Sequence, residues 1–243
     1  MSHITGTPPL EMLRGKLVVS CQAYPGEPLQ DPHTMMLMAQ SAVLGGAVAI
    51  RAQGLDDIRL IHDNIEALQI GLWKVPGNDI FITPTLEHAI AVAEAGAEIV
   101  AIDGTGRSRP DGLSLQETIT ELHRQTSALV MADVGSVADG IYAEDAGADC
   151  IGTTLSGHTG ERARTEEPDL ALVRELVAVV SKPVLAEGRI HTPIQAAAAL
   201  EAGAFAVVVG TAITHPTTIT SWFAGALVGQ KAPDNARPIL RRS

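Results

Sequence analysis

Apolar residues along the 243-residue chain fall into two alternating patterns. Short continuous runs, among them LVVSC (17–21), QIGLW (69–73), ALVMA (128–132) and PVLAE (183–187), read as strands buried on both faces. Longer stretches such as TLEHAIAVAEAG (85–96), LSLQETITELHRQT (113–126) and TPIQAAAALEAG (192–203) repeat apolar positions every three or four residues. With Thr or Ser caps or a first-turn Pro at their starts, these read as amphipathic helices. Four further phrases, LGGAVAIRA (44–52), AGAEIVAID (95–103), AGADCIGTT (146–154) and AGAFAVVVG (202–210), each join a small-residue turn to an apolar strand. Their glycines, Gly46, Gly96, Gly147 and Gly203, lie 50, 51 and 56 residues apart, a period that holds two strand–helix pairs. The pattern predicts eight parallel strands alternating with helices. This is an α/β chain folded as one (β/α)8 TIM barrel over residues 1–243, with an irregular tail from about 229 to 243. A doubly wound open sheet is the alternative that the same alternation allows.

Composition narrows the class of function. With 46% hydrophobic and only 3% aromatic residues the chain can bury a large aliphatic core. A net charge of −11 without any basic run predicts no nucleic-acid or membrane partner and leaves a small molecule as the expected one. The first residues, MSHITGTPPLEMLRG, lack the basic-then-apolar order of a leader, and no apolar run reaches the roughly 18 residues that span a bilayer. A cytoplasmic protein is expected. Cys21 and Cys150 lie 129 residues apart inside apolar runs, without metal-ligand spacing, and read as reduced core thiols. Association into a homo-oligomer, a dimer, is also expected.

In a barrel of this kind chemistry gathers at the carboxyl ends of the strands. The residues that close the apolar runs are Gln22, Arg51, Lys74, Asp103, Asp133, Thr153 with Thr154, Glu187 with Gly188 and Arg189, and Gly210 with Thr211. Any one of them alone is ordinary loop chemistry, since every strand leaves the core through something polar. Three cations, three carboxylates and an amide on one rim suit an anionic, polyhydroxylated ligand. The loops after the last two strands, EGRIHTP (187–193) and VGTAITHP (209–216), occupy the place where this fold often holds a phosphate. Gly188 and Gly210 let backbone come close, Thr211 adds a hydroxyl, and the Ala212 N–H adds a donor.

Eight phrases bring these residues into a known pattern: VVSCQA, GGAVAIRAQG, FITPTLEHA, SRPDG, MADVGSVADG, IGTTLSGHTG, PVLAEGRIHTP and VVVGTAITHP. In this order, from about residue 10 to 227, they closely resemble the N-acetylmannosamine-6-phosphate 2-epimerases. The resemblance implies interconversion of N-acetylmannosamine 6-phosphate and N-acetylglucosamine 6-phosphate in sialic acid catabolism. It also implies that Lys74 and Glu187 are the catalytic pair and that Gln22, Arg51 and Asp133 line the sugar site. Departures from the family pattern are Gly104 and Gly106 in the strand-4 loop, His158 in SGHT, and His215 where the family commonly has an arginine near the phosphate loop. Histidine is shorter and only partly charged near neutral pH, so phosphate binding is expected to depend more on pH.

The chemistry follows independently. Inverting the carbon that bears the N-acetyl group requires breaking a C–H bond. That proton is acidic only beside a carbonyl, as in the open-chain aldehyde. A base takes the C2 proton, an acid returns one to the opposite face, and donors hold the enolate oxygen. No nicotinamide, flavin or metal is required. Two alternatives remain open on sequence: another sugar-phosphate isomerase or a lyase with a Schiff base on Lys74, and a binder of sugar phosphates without turnover.

Overall fold

The computed structural model describes residues 9–77 and 79–228; the irregular tail expected over 229–243 lies outside them. A short 3-10 helix (Pro9–Leu13) precedes a strict alternation of strands and helices. In order these are β1 (Leu17–Cys21), α1 (Pro32–Leu44), β2 (Ala49–Gln53), α2 (Leu55–Asn64), β3 (Leu68–Leu72), α3 (Leu86–Glu94), β4 (Ile99–Asp103) and α4 (Leu115–Gln125). The second half continues with β5 (Leu129–Asp133), α5 (Val137–Asp145), β6 (Cys150–Gly152), α6 (Leu170–Val179), β7 (Val184–Glu187), α7 (Pro193–Glu201) and β8 (Ala206–Val209). Two helices follow, α8 (Thr211–Thr214) and α9 (Pro216–Leu227). The strands pair in parallel in chain order, and Leu17–Val19 pair with Val207–Val209 to close β8 on β1. The fold is the closed barrel and not the open sheet.

Strand ends differ from the apolar runs by a residue, for local reasons. Pro183 has no N–H to give the ladder, and the strand starts at Val184. Trp73 leaves β3 because its backbone turns to accept from the Thr83 N–H. Asp133, although charged, continues β5 because its backbone stays in register with Asp103 and Gly152.

Strand alternation divides the core into two shells. Val18, Ala49, Ile70, Ile99, Met131, Cys150, Leu185 and Val208 pack together inside the barrel, and Leu13 of the entry helix joins them. Their chain neighbours Val19, Ile50, Val100, Val130 and Ile151 pack outward with the helices. Both cysteines are free and buried, Cys21 in the outer shell and Cys150 in the inner one.

Helix ends account for the repeated glycines. Thr85, Ser114, Ser136 and Thr192 each accept a backbone N–H at a helix start, and Ser114 with Glu117 and Thr192 with Gln195 form complete capping boxes. At the other end, Gly46, Gly96, Gly147 and Gly203 all follow a helix with φ near +100°. The N–H of Gly96 donates to Ala93 O and that of Ala97 to Val92 O, and the other three glycines and their alanines repeat this pair of bonds. This is the left-handed helix stop that glycine makes cheaply, and each time it feeds an even-numbered strand.

Candidate functional site at the carboxyl end of the barrel

The inward-facing register carries straight into the site. Two residues beyond an apolar side chain comes a polar one: Val18, Ser20, Gln22; Ala49, Arg51; Ile70, Leu72, Lys74; Met131, Asp133; Leu185, Glu187. Most of these polar groups open on a cavity of about 320 Å³ lined by Ser20, Gln22, Tyr24, Arg51, Lys74, Thr154, Glu187, Gly188, Arg189, Gly210, Thr211 and His215, with apolar cover from Phe81, Ile82, Leu155 and Val208.

Arg51 is the centre of its floor and is 1% exposed. Its Nη2 donates to Asp133 Oδ2 at 2.6 Å and its Nη1 to Asp133 Oδ1 at 3.2 Å, a bidentate pair. The same Nη1 lies 3.2 Å from Glu187 Oε2. Thr154 Oγ1 sits 2.6 Å from Asp133 Oδ1 and 3.0 Å from Glu187 Oε2. A buried cation of this kind is tolerable only when charges and hydrogen bonds meet it from several sides. Gly152 makes the room: a Cβ there would fall 2.3 Å from Met131 Cε and 2.9 Å from Asp133 Oδ1. Asp133 is fully buried and lies behind Arg51, outside the cavity wall, and the structure aims it at protein groups.

Lys74 stands two residues past the end of β3, where the chain doubles back antiparallel. Lys74 bridges Ile82, the Val75 N–H donates to Phe81 O, and the Thr83 N–H to Trp73 O. Thr83 anchors this hairpin: it is fully buried with φ +44°, rare for a β-branched residue, and its hydroxyl donates to Ala101 O at 2.7 Å. Burial first, and then the charge of Arg51, bring the Lys74 ammonium down to about 8, against weaker opposing pulls from Glu187 and Asp133. Burial raises the Glu187 carboxyl above the usual carboxylate range even though Arg51 beside it acts the other way. A lysine that gives up its proton more readily than usual and an acid that holds its own more tightly than usual thus face the same space. Gln22 completes the floor; its Nε2 donates to Ser20 Oγ at 2.8 Å, while its buried Oε1 has no protein partner and is left for a ligand donor.

The rim is made of loops. Gly188 (φ +110°) and Gly210 line the cavity, and Gly210 caps the short helix α8 that Thr211 opens. Ala212 lies on the same helix, but its side chain borders a separate apolar hollow with Leu17, Val207 and Val209, leaving only its backbone for the site. Arg189 borders the cavity, and its guanidinium donates to the Ser156 and Glu167 carbonyls at 2.8 and 3.1 Å, tying down the loop between β6 and α6. His215 is buried against the Tyr24 ring at 4.8 Å, with Nδ1 3.6 Å from Glu27 Oε2. Burial and nearby Lys74 lower its pKa, and Glu27 pulls it back up. Asp103 does not reach the cavity; it accepts from Thr105 and pairs with Arg107 at 2.6 Å. Ser20, Tyr24, Phe81 and His191 are lining residues that the strand-end reading missed; the two-residue step back from Gln22 was signal enough for Ser20. Among the described residues no group of three or more His, Cys, Asp or Glu is placed to hold a metal ion.

Similar proteins point the same way. A family described as "Putative N-acetylmannosamine-6-phosphate epimerase" matches residues 35–229. Relatives named as 2-epimerases of this kind include one from Cutibacterium acnes, 57% identical over 217 residues that cover 88% of this chain and 95% of its own. Another, from Caldanaerobacter subterraneus, is 48% identical over 217 residues, covering 88% and 92%. The solved structure of the N-acetylmannosamine-6-phosphate 2-epimerase from Clostridium perfringens superimposes with a TM-score of 0.88 at 40% identity, over 93% of this chain and 99% of that one. Thiamine phosphate pyrophosphorylase from Pyrococcus furiosus, at 20% identity and a TM-score of 0.57, shares the fold alone. By sequence along most of its length and by the shape of the whole barrel, the chain belongs to the N-acetylmannosamine-6-phosphate epimerase family.

Proposed function

We propose that the protein interconverts N-acetylmannosamine 6-phosphate and N-acetylglucosamine 6-phosphate, with Lys74 and Glu187 as its catalytic pair. The observation that carries this reading is the placement of those two residues, with opposite protonation tendencies, on one cavity in a chain of this family. With the open-chain aldehyde bound, neutral Lys74 removes the C2 proton and becomes an ammonium. The electron pair passes into the enolate, and Glu187 gives its proton to C2 from the opposite face. The proton count balances, no carbon is oxidised or reduced overall, and the reaction needs no redox cofactor. Gln22 and Arg51 hold the sugar oxygens, and Asp133 acts through Arg51. The phosphate lies at the rim against Gly188, Gly210, Thr211 and the Ala212 N–H, with Arg189 and His215 at its margin.

A phosphosugar does not cross membranes, and among the described residues no helix is long and apolar enough to do so; we place the protein in the cytoplasm with no nucleic-acid partner, in keeping with its net charge of −11. Its macromolecular partner is a second copy of itself. Helix α9 leaves Phe223 71% and Leu227 88% exposed, and the outer wall beside β8 leaves an apolar hollow of about 400 Å³ uncovered. A monomer in sedimentation at micromolar concentration would remove the dimer from this reading. The activity itself is tested by incubating the purified protein with N-acetylmannosamine 6-phosphate, without added cofactor, and resolving the epimers by NMR. Formation of the second epimer is expected; an unchanged spectrum would overturn the assignment.

A further inference from the structure

Two carboxylates and one hydroxyl meet at the bottom of the cavity, and the count of protons there is informative. Thr154 Oγ1 is within hydrogen-bond reach of both Asp133 Oδ1, at 2.6 Å, and Glu187 Oε2, at 3.0 Å. A hydroxyl carries one proton and gives it to one acceptor at a time. With both acids ionised, one of the two contacts would set lone pair against lone pair. With a proton on Glu187 every contact is satisfied: the Glu187 carboxyl donates to Thr154 Oγ1, and the Thr154 hydroxyl donates to the Asp133 carboxylate. The shorter distance is on the Asp133 side, as expected for the charge-assisted bond, and Asp133 is also the acid that holds both Arg51 nitrogens.

We propose that Thr154 is a positioning residue that assigns the proton shared by this carboxylate pair to Glu187, the member that faces the cavity, and not to Asp133, which is sealed behind Arg51. Threonine suits the position because its hydroxyl both donates and accepts, and its strand-end place on β6 lies between β5 and β7, which carry the two acids. Burial of Glu187 favours the same protonated form, whereas Arg51 opposes it and a Thr154 hydroxyl turned toward Glu187 would oppose it too, so the relay requires that hydroxyl to point at Asp133, its shorter contact. Once Glu187 has delivered its proton, Arg51 Nη1, 3.2 Å from an oxygen of each acid, stabilises the doubly ionised pair until the proton is regained. The groups facing Thr154 are therefore Asp133, Glu187 and Arg51, with Lys74 across the cavity.

The inference rests on Glu187 being the acid, and three variants separate the two claims. Thr154→Val keeps the shape and deletes the relay; the limb of the kcat–pH profile set by Glu187 is expected to move down by about one pH unit with KM nearly unchanged. Thr154→Ser keeps the relay and is expected to restore the wild-type limb. An unmoved limb in Thr154→Val, or a serine variant that behaves like valine, would overturn the inference, as would a change in KM alone. Glu187→Gln tests the underlying reading: loss of turnover is expected, and retained turnover would remove Glu187 as the acid whatever Thr154 does. Melting curves for all three exclude loss of fold as the cause.

Discussion

The two ends of the barrel are built from the same eight strands and obey the same inward-outward alternation, yet they hold opposite contents. At the amino end Leu13 sits in an aliphatic cluster with Val18, Ala49, Leu68 and Ile99. One to three inward steps further along their strands the inward positions become Arg51, Asp133, Glu187 and, past the end of β3, Lys74. The inner cluster at the closed end is aliphatic, and its energy is area removed from water. The open end buries charges that are stable only as a set, and Gln22, whose buried Oε1 has no protein partner, lines the cavity there. Stability and reactivity are thus sorted along one axis within a few residues of strand.

That division is breakable by substitution. Lys74→Met should show the largest effect: a fall in kcat of about 10² to 10⁴, with little change in melting temperature because the stem keeps its packing. In deuterated water the wild type should incorporate deuterium at C2, and a Lys74→Met variant that still exchanges C2 at the wild-type rate would assign the base elsewhere. Asp133→Asn should behave as a hybrid of the two ends. It leaves Arg51 short of a buried counter-charge and is expected to cost about 3–5 kcal/mol of stability as well as activity, measured by denaturant unfolding. If its stability were unchanged, the open end would not depend on its charges as a set. Leu13→Ala should lower stability by about 2–5 kcal/mol and leave kcat as it was, and a matching loss of kcat would erase the distinction between the ends. Next in size is pH: because a neutral Lys74 and a protonated Glu187 are both required, kcat/KM should pass through a maximum and fall on both sides of it, with Lys74, which burial and Arg51 bring to about 8, setting one limb. A rate flat from pH 7 to 9 would contradict this. The smallest effect is expected at His215→Arg, a several-fold lower KM for the phosphosugar and a flatter pH dependence below about 6.5, since burial lowers the His215 pKa.

Sequence made the framework legible because parallel strands buried on both faces leave a plain signal, and because the four helix-stop glycines mark every second strand. Lys74, Arg51 and Glu187 were legible as charges that interrupt apolar runs. What alternation cannot report is which neighbour a polar side chain turns to. Asp133 and Asp103 are alike in sequence and in register, yet one holds Arg51 at the site while the other is taken by Arg107 and Thr105 of its own loop. Arg189 likewise closes a strand in the sequence, and only the structure shows that its guanidinium bonds to two loop carbonyls. Tyr24 lies on a loop whose path the apolar pattern does not encode, and Thr154 gains its meaning only from two acids 21 and 33 residues away.

The span of the Arg51 pair also bears on how the chain reaches this state. Arg51 is on β2, and the acid that grips it, Asp133, is 82 residues further along, on β5; Glu187 comes later still. A nascent chain that has made β1 to β4 carries this guanidinium with no acid placed to receive it, since Asp103 belongs to Arg107. A half-barrel cannot dry its interior around that charge. Docking of the second half supplies the counter-ions and closes the cylinder in one long-range, high-contact-order step, so the halves acquire stability together. Fragments that end before β5 should stay unfolded, and the residues that shape the reaction also make folding all-or-none.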